Sequence, residues 1–283
     1  MEKFVQRAKT LIEALPYIKK FNSKTIVFKY GGSIGSKDFS NFARDIVLMK
    51  LVGINPVIVH GGGAEISKVL KSLEIESNFI DGLRVTCPKT MEVVEMVLGG
   101  KVNKEIVSKI IMNGGKSVGI SGKDGGFLRV KKVKASKKSQ DLGRVGEITK
   151  VDIKLITELQ DNGYIPVVAP IGSDNKGVSY NINADHAASK IASSLKAEKL
   201  IILTDVPGIQ DEKRKLISSI TKKTANSLIR KGVIAKGMVP KVKCLVQALM
   251  DGVNKAHIID GRIPHAVILE TFTDSGIGTE ILL

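Results

Sequence analysis

The feature that most constrains this chain is a repeated change of hydrophobic period. Short runs rich in β-branched residues, at 25–30, 56–60, 116–120, 165–170, 200–204 and 257–259, alternate with segments of helical apolar spacing at 38–52, 65–73, 90–112, 152–161, 184–195, 221–230 and 242–250. Strands joined by long helical crossovers lie parallel, and a parallel sheet needs helices on both faces. The expectation is an α/β three-layer sandwich around an open, mainly parallel sheet. Ligands of such sheets sit beyond the carboxyl ends of the strands.

The first 24 residues stand outside this alternation. Phe4, Ala8, Leu11, Ile12 and Leu15 form one apolar helix face, which Pro16 should kink or end. At 283 residues the chain can form one large domain or two lobes, with enough core to need no staple. Cys87 and Cys244 are far apart and lack spaced partners, so neither a disulfide framework nor a zinc site is expected. That fits a reducing compartment, the cytoplasm or an organelle stroma such as a plastid's. No apolar run is long enough to span a bilayer. The formal charge of +16 invites a nucleic-acid reading, but the lysines are dispersed, only 4% of residues are aromatic and no finger, helix-turn-helix or RNP pattern occurs. Steering of anionic substrates is the better use of such charge. The Lys/Ser-rich stretch 131–139 is expected as an exposed hairpin or loop.

Two glycine-rich turns follow successive strands: Lys29-Tyr30-Gly31-Gly32-Ser33 and His60-Gly61-Gly62-Gly63. The second runs straight into a helix, leaving unpaired N–H groups at a positive helix end, and glycine lets anionic oxygens approach that backbone. Either turn alone could be merely tight; two in succession point to an anion cradle. Gly115-Lys116-Ser117 is no Walker A loop, because Ile110 holds the required glycine position, and Ile66 breaks the dinucleotide pattern begun by Gly61 and Gly63. Asn181-Ile182-Asn183-Ala184-Asp185 opens a helix with more polar groups than a cap requires. Thr204-Asp205-Val206-Pro207-Gly208 follows a strand, and Gly237-Met238-Val239-Pro240-Lys241 precedes a helix.

In order and spacing, KYGGS, HGGG, GLRVT, NINAD, LTDVPGI and GMVPKV resemble the amino-acid kinase family, and the likeness to its N-acetylglutamate kinases spans essentially the whole chain. The resemblance implies the amino-acid kinase fold with two lobes: residues 25–180 for acetylglutamate and dimerisation, and 181–283 for ATP. It implies that Lys29 and Lys241 stabilise the transferring phosphoryl group and that Asp185 positions them. Gly62, Gly63, Arg84 and Asn181 would hold N-acetyl-L-glutamate, while Gly32, Thr204, Asp205 and Gly208 would surround ATP. Mg²⁺ would be held mainly by the nucleotide, with no protein metal ligands assigned. Relatives usually carry Ala-Met at Ile34-Gly35 and Thr at His186.

The acceptor carboxylate, with an ordinary pKa of about 4.3, is already ionised at neutral pH, so no general base is required. The obstacle is anion repulsion, which cations and N–H dipoles must offset. His60 is therefore expected to fix its loop by a hydrogen bond, and His257 and His265 to be structural or regulatory. Alternatives are a carrier-linked aminoadipate kinase of the same family or a catalytically silent regulatory module. Arginine-sensitive relatives carry an N-terminal helix like residues 1–24, which interlaces three dimers into a hexamer, and a similar C-terminal segment. Carried over, Tyr17, Lys199, Glu270 and Gly276 form the arginine site. Some relatives also bind a nitrogen-signalling trimer, a partner left open here.

Overall fold

The computed structural model describes residues 1–31, 36–133, 141–274 and 276–283. It begins with α1 (Glu2–Glu13) and α2 (Leu15–Phe21), with Pro16 in the first turn of α2, where a missing N–H costs nothing. Proline thus ends one helix and starts the next. Phe21 is buried, whereas Phe4, Leu11 and Ile12 are exposed, so α2 docks on the core and α1 leaves its apolar face uncovered.

Then come β1 (Thr25–Tyr30), α3 (Ser36–Leu51), β2 (Asn55–His60), α4 (Gly63–Ser72) and the hairpin of β3 (Phe79–Ile80) and β4 (Leu83–Arg84). A long helical run follows, made of α5 (Pro88–Glu95), a π-helical segment Met96–Val102 and α6 (Asn103–Met112). After it lie β5 (Ser117–Ser121), β6 (Leu128–Lys132), β7 (Gly146–Val151), α7 (Lys154–Asp161), β8 (Ile165–Ala169), β9 (Ile171–Ser173) and β10 (Ser179–Asn181). The chain ends with α8 (Ala184–Ser194), β11 (Lys199–Thr204), β12 (Ser219–Thr221), α9 (Lys222–Arg230), α10 (Met238–Met250), β13 (Lys255–Asp260), α11 (Ala266–Thr271) and β14 (Thr279–Leu282).

Eight strands form the main sheet in the order β12-β14-β13-β11-β1-β2-β8-β5. All neighbours run parallel except β13 and β14. Because side chains alternate across a strand, the sheet feeds two cores. Val27, Val57, Leu200 and Ile202 pack with residues of α8 and α10, whereas Ile26, Phe28, Ile58 and Ile201 pack with residues of α3 and α6. This is the expected three-layer arrangement.

All six anticipated strands lie in that sheet. The edge strand β12 and its neighbour β14 were not anticipated, nor was a second sheet, β10-β9-β6-β7. Strands of three residues, such as β9, β10 and β12, are too short to display a period. The expected loop at 131–139 begins inside β6, and residues 134–140 lie outside the described ones.

Candidate functional site

The carboxyl ends of β1, β2 and β11 carry Lys29, His60 and Thr204, so three of the motifs meet at one edge of the sheet. Lys29 is buried as the penultimate residue of β1. Its Nζ lies 2.9 Å from Oδ1 of Asp185, and Nζ of Lys241 lies 2.8 Å from Oδ2 of the same carboxylate. Asp185 is in the first turn of α8, which Asn183 caps by accepting from the N–H groups of Asp185 (2.9 Å) and His186 (3.1 Å). The cap fixes the backbone that presents Asp185.

Burial pushes the Lys29 ammonium below its usual pKa, Asp185 pulls it back up, and the neighbouring Lys241 charge pushes it down again. Burial raises the Asp185 carboxyl, but the two lysines together hold it below the usual range. Two ammoniums thus share one carboxylate in a largely dry site. The excess positive charge suits a polyanion.

Beside this cluster lies a pocket of about 180 Å³ lined by Gly62, Gly63, Arg84, Asn181 and Ala184, the residue preceding Asp185. The structure therefore brings together all four residues assigned to the acceptor. Arg84 donates to Gly63 O (2.9 Å), Ser67 Oγ (2.8 Å) and Ser77 Oγ, and its guanidinium lies 4.6 Å from the centroid of the Phe79 ring. Asn181 donates to Thr86 Oγ1 at 3.3 Å. Gly62 has a packing reason: a Cβ there would sit 2.5 Å from Leu98 Cδ2. At Gly63 a Cβ would meet nothing within 4 Å, so packing does not require glycine there. Leu98 and Phe79 also line the pocket but were not assigned from sequence, because apolar walls carry no local signature; Asn183, legible as a helix cap, lines it too.

The nucleotide residues are more dispersed. Thr204 donates to the Asp205 carboxylate at 3.2 Å, while Gly208 packs on Thr279, whose Oγ1 would lie 2.7 Å from a Cβ at that position. None of the three lines the acceptor pocket. Gly32, with Ile34 and Gly35, lies outside the described residues. Burial holds the His60 imidazole down at about 4, and its Nδ1 lies 2.9 Å from Gly61 O, a loop-fixing contact. His186 is half-buried beside Pro240 and Cys244, and burial lowers its pKa as well.

A second pocket, of about 190 Å³, lies at the opposite edge of the sheet, where Lys199 begins β11. Tyr17, Lys199, Glu270 and Gly276 all line it. Glu270 accepts from the N–H groups of Ile277 (2.8 Å) and Gly278 (3.2 Å), and its Oε1 lies 2.7 Å from His257 Nδ1. Tyr17 donates to the Asp274 carboxylate, tying α2 to the segment after α11. Burial lowers Lys199 to about 8.

The family model described as Amino acid kinase family matches residues 24–260. The chain is 53% identical over 291 residues to the acetylglutamate kinase of Geotalea uraniireducens (strain Rf4), covering 100% of both chains. Among solved structures it resembles N-acetylglutamate synthase from Neisseria gonorrhoeae complexed with coenzyme A and N-acetyl-glutamate, with a TM-score of 0.88 and 26% identity over 98% of this chain. The same synthase complexed with coenzyme A and L-arginine gives a TM-score of 0.84 and 25% identity over 95% of this chain. This chain spans 63% and 64% of those two, less than two thirds of the synthase. By a family match over most of its length and full-length identity above one half, the chain belongs to the amino acid kinase family and, within it, to the acetylglutamate kinases.

Proposed function

We propose that the chain transfers the γ-phosphoryl group of ATP to the side-chain carboxylate of N-acetyl-L-glutamate, forming N-acetyl-L-glutamyl 5-phosphate in arginine biosynthesis. The observation that carries this reading is the acceptor pocket of Gly62, Gly63, Arg84 and Asn181, whose wall at Asn183 and Ala184 leads directly in the chain to Asp185, the carboxylate paired with Lys29 and Lys241. Full-length likeness to a protein named acetylglutamate kinase supports the acceptor. Arg84 grips the α-carboxylate, since a planar fork matches two carboxylate oxygens. The N–H groups of Gly62 and Gly63 and the two ammoniums offset the repulsion between carboxylate and triphosphate and stabilise charge on the transferring group.

ATP supplies the phosphoryl group, and the buried surplus of cations is what fits it here. Thr204, Asp205, Gly208 and Gly32 are assigned to its surroundings. Mg²⁺ is assigned to the nucleotide's phosphates; among the described residues no group of three His, Cys, Asp or Glu stands ready for a metal. The sheet order supports two lobes, because strands up to β8 lie on one side of the β1–β11 junction and later ones on the other. No described helix is long and apolar enough to cross a membrane, and a cytoplasmic enzyme is the reading adopted.

Regulation by arginine belongs to the same proposal. Its support is the convergence of Tyr17, Lys199, Glu270 and Gly276 on one pocket, and the exposed apolar face of α1, which suits a trimer of dimers. Glu270 would face the effector's cation and Lys199 its carboxylate. Arginine would act by binding a less active state more tightly.

Trapping acyl phosphate as hydroxamate over a panel of acceptors with Mg-ATP tests the activity. N-acetyl-L-glutamate should far exceed glutamate, aspartate and carbamate; equal activity on free glutamate would overturn the substrate. Removal of residues 1–24 should convert hexamers to dimers by light scattering and weaken arginine inhibition. A dimeric, arginine-insensitive full-length enzyme would refute the regulatory part alone.

A further inference from the structure

Asn103 has no role so far, yet it is only 1% exposed and its amide is fully engaged. Its Nδ2 donates to Val167 O (2.9 Å), lies 3.4 Å from Ile120 O, and sits 3.2 Å from His60 Nε2. Its Oδ1 accepts from Lys104 Nζ at 3.2 Å. Two carbonyls can only accept, so the amide group facing them and His60 must be the NH₂. His60 Nε2 is therefore an acceptor, and the proton sits on Nδ1, 2.9 Å from Gly61 O. Because the peptide is trans and planar, turning the Gly61 carbonyl toward the imidazole sends the Gly62 N–H the other way. Among the described residues no acceptor takes that N–H, and Gly61, Gly62 and Gly63 all line the acceptor pocket.

The π-helical segment decides which residue meets His60. The buried face of α5 runs through Val94 to Leu98, and an uninterrupted α-helix would carry it to Lys101, Glu105 and Ser108. Those three are exposed; Asn103, Ile106 and Ile110 are buried instead. A π turn adds a residue and rotates the following face by about 100°. It thereby presents Asn103 to His60, while Leu98, still on the face that α5 buries, packs on Gly62.

We propose that Asn103, presented by this π turn, is a positioning residue for phosphoryl transfer: it holds His60 in one tautomer and, through it, aims the Gly62 N–H into the acceptor pocket. The proposal rests on the acceptor site described above. In protein labelled with ¹⁵N-histidine, long-range ¹H–¹⁵N spectra should show His60, assigned with His60→Asn, as the Nδ1–H tautomer at neutral pH. Asn103→Ala should abolish that single-tautomer signature and lower kcat/KM for N-acetyl-L-glutamate on the order of tenfold, leaving the KM for ATP unchanged. In a His60→Asn background, Asn103→Ala should add little further loss. An Nε2–H tautomer in the unmodified enzyme, or a loss undiminished in that background, would overturn the proposal. Should Asn103→Ala not fold, Asn103→Ser takes its place; if neither folds, Asn103 is a structural residue and the proposal fails. The tautomer is read without turnover, so an error in the assigned acceptor would show separately, in the hydroxamate panel.

Discussion

Lys241 Nζ lies 2.8 Å from Asp185 Oδ2, joining the first turn of α10 to the first turn of α8. Helix N-termini carry partial positive charge, so two of them and two ammoniums meet around one carboxylate. An anion arriving there relieves that imbalance most when its own negative charge is greatest.

Lys29→Ala and Lys241→Ala should each lower kcat by roughly 10²–10³-fold with a much smaller change in KM. Steady-state kinetics with N-acetyl-L-glutamate and Mg-ATP check this. A pure KM effect would assign the lysines to ground-state binding. Lys→Arg should rescue little, because a planar guanidinium cannot replace a compact ammonium beside Asp185.

Arg84→Lys should raise KM for N-acetyl-L-glutamate by roughly 10–100-fold and leave kcat largely intact. The guanidinium is held by Gly63 O, Ser67 Oγ and Ser77 Oγ, and lysine cannot keep those contacts while presenting a fork to the substrate. Comparable losses in kcat would place Arg84 nearer the reacting atoms.

His60 should leave no limb near neutrality in the pH profile of kcat, since burial holds its pKa at about 4. Its effect on stability has a definite sign. Between about 4 and the ordinary 6.5 the unfolded chain binds the proton and the folded chain does not, so stability rises with pH through that window. Acidification across it should cost roughly 3 kcal/mol from this residue. Denaturant titrations from pH 4 to 7 should show a slope shallower by about one proton in His60→Asn.

Arginine inhibition should weaken as pH rises through about 8, where Lys199 loses its proton. In the proposed arginine site, the ammonium below that value would attract the effector's carboxylate, and above it that attraction would be gone. The inhibition constant should rise about tenfold between pH 7 and 9. Lys199→Arg, which does not titrate in this range, should flatten the dependence.

What the sequence determined by itself was local. Parallel core strands read as continuous apolar runs because both faces are buried, and β1, β2, β8 and β11 are buried almost throughout. Lys29, the His60-Gly61-Gly62-Gly63 turn and the Asn183 cap were legible because a strand end, a glycine run and a helix start each have a short-range signature. The tertiary structure decided the rest. Leu98 as the packing reason for Gly62, the antiparallel return of β14 against β13, and the tie from Tyr17 to Asp274 all join distant segments. The π turn is the sharpest case: the helical period of 90–112 was visible, yet a one-residue change of face within it sets whether Lys101 or Asn103 is buried. Hydrophobic spacing specifies that a face exists, but only packing against β2, β5 and β8 selects the register that places an amide on His60.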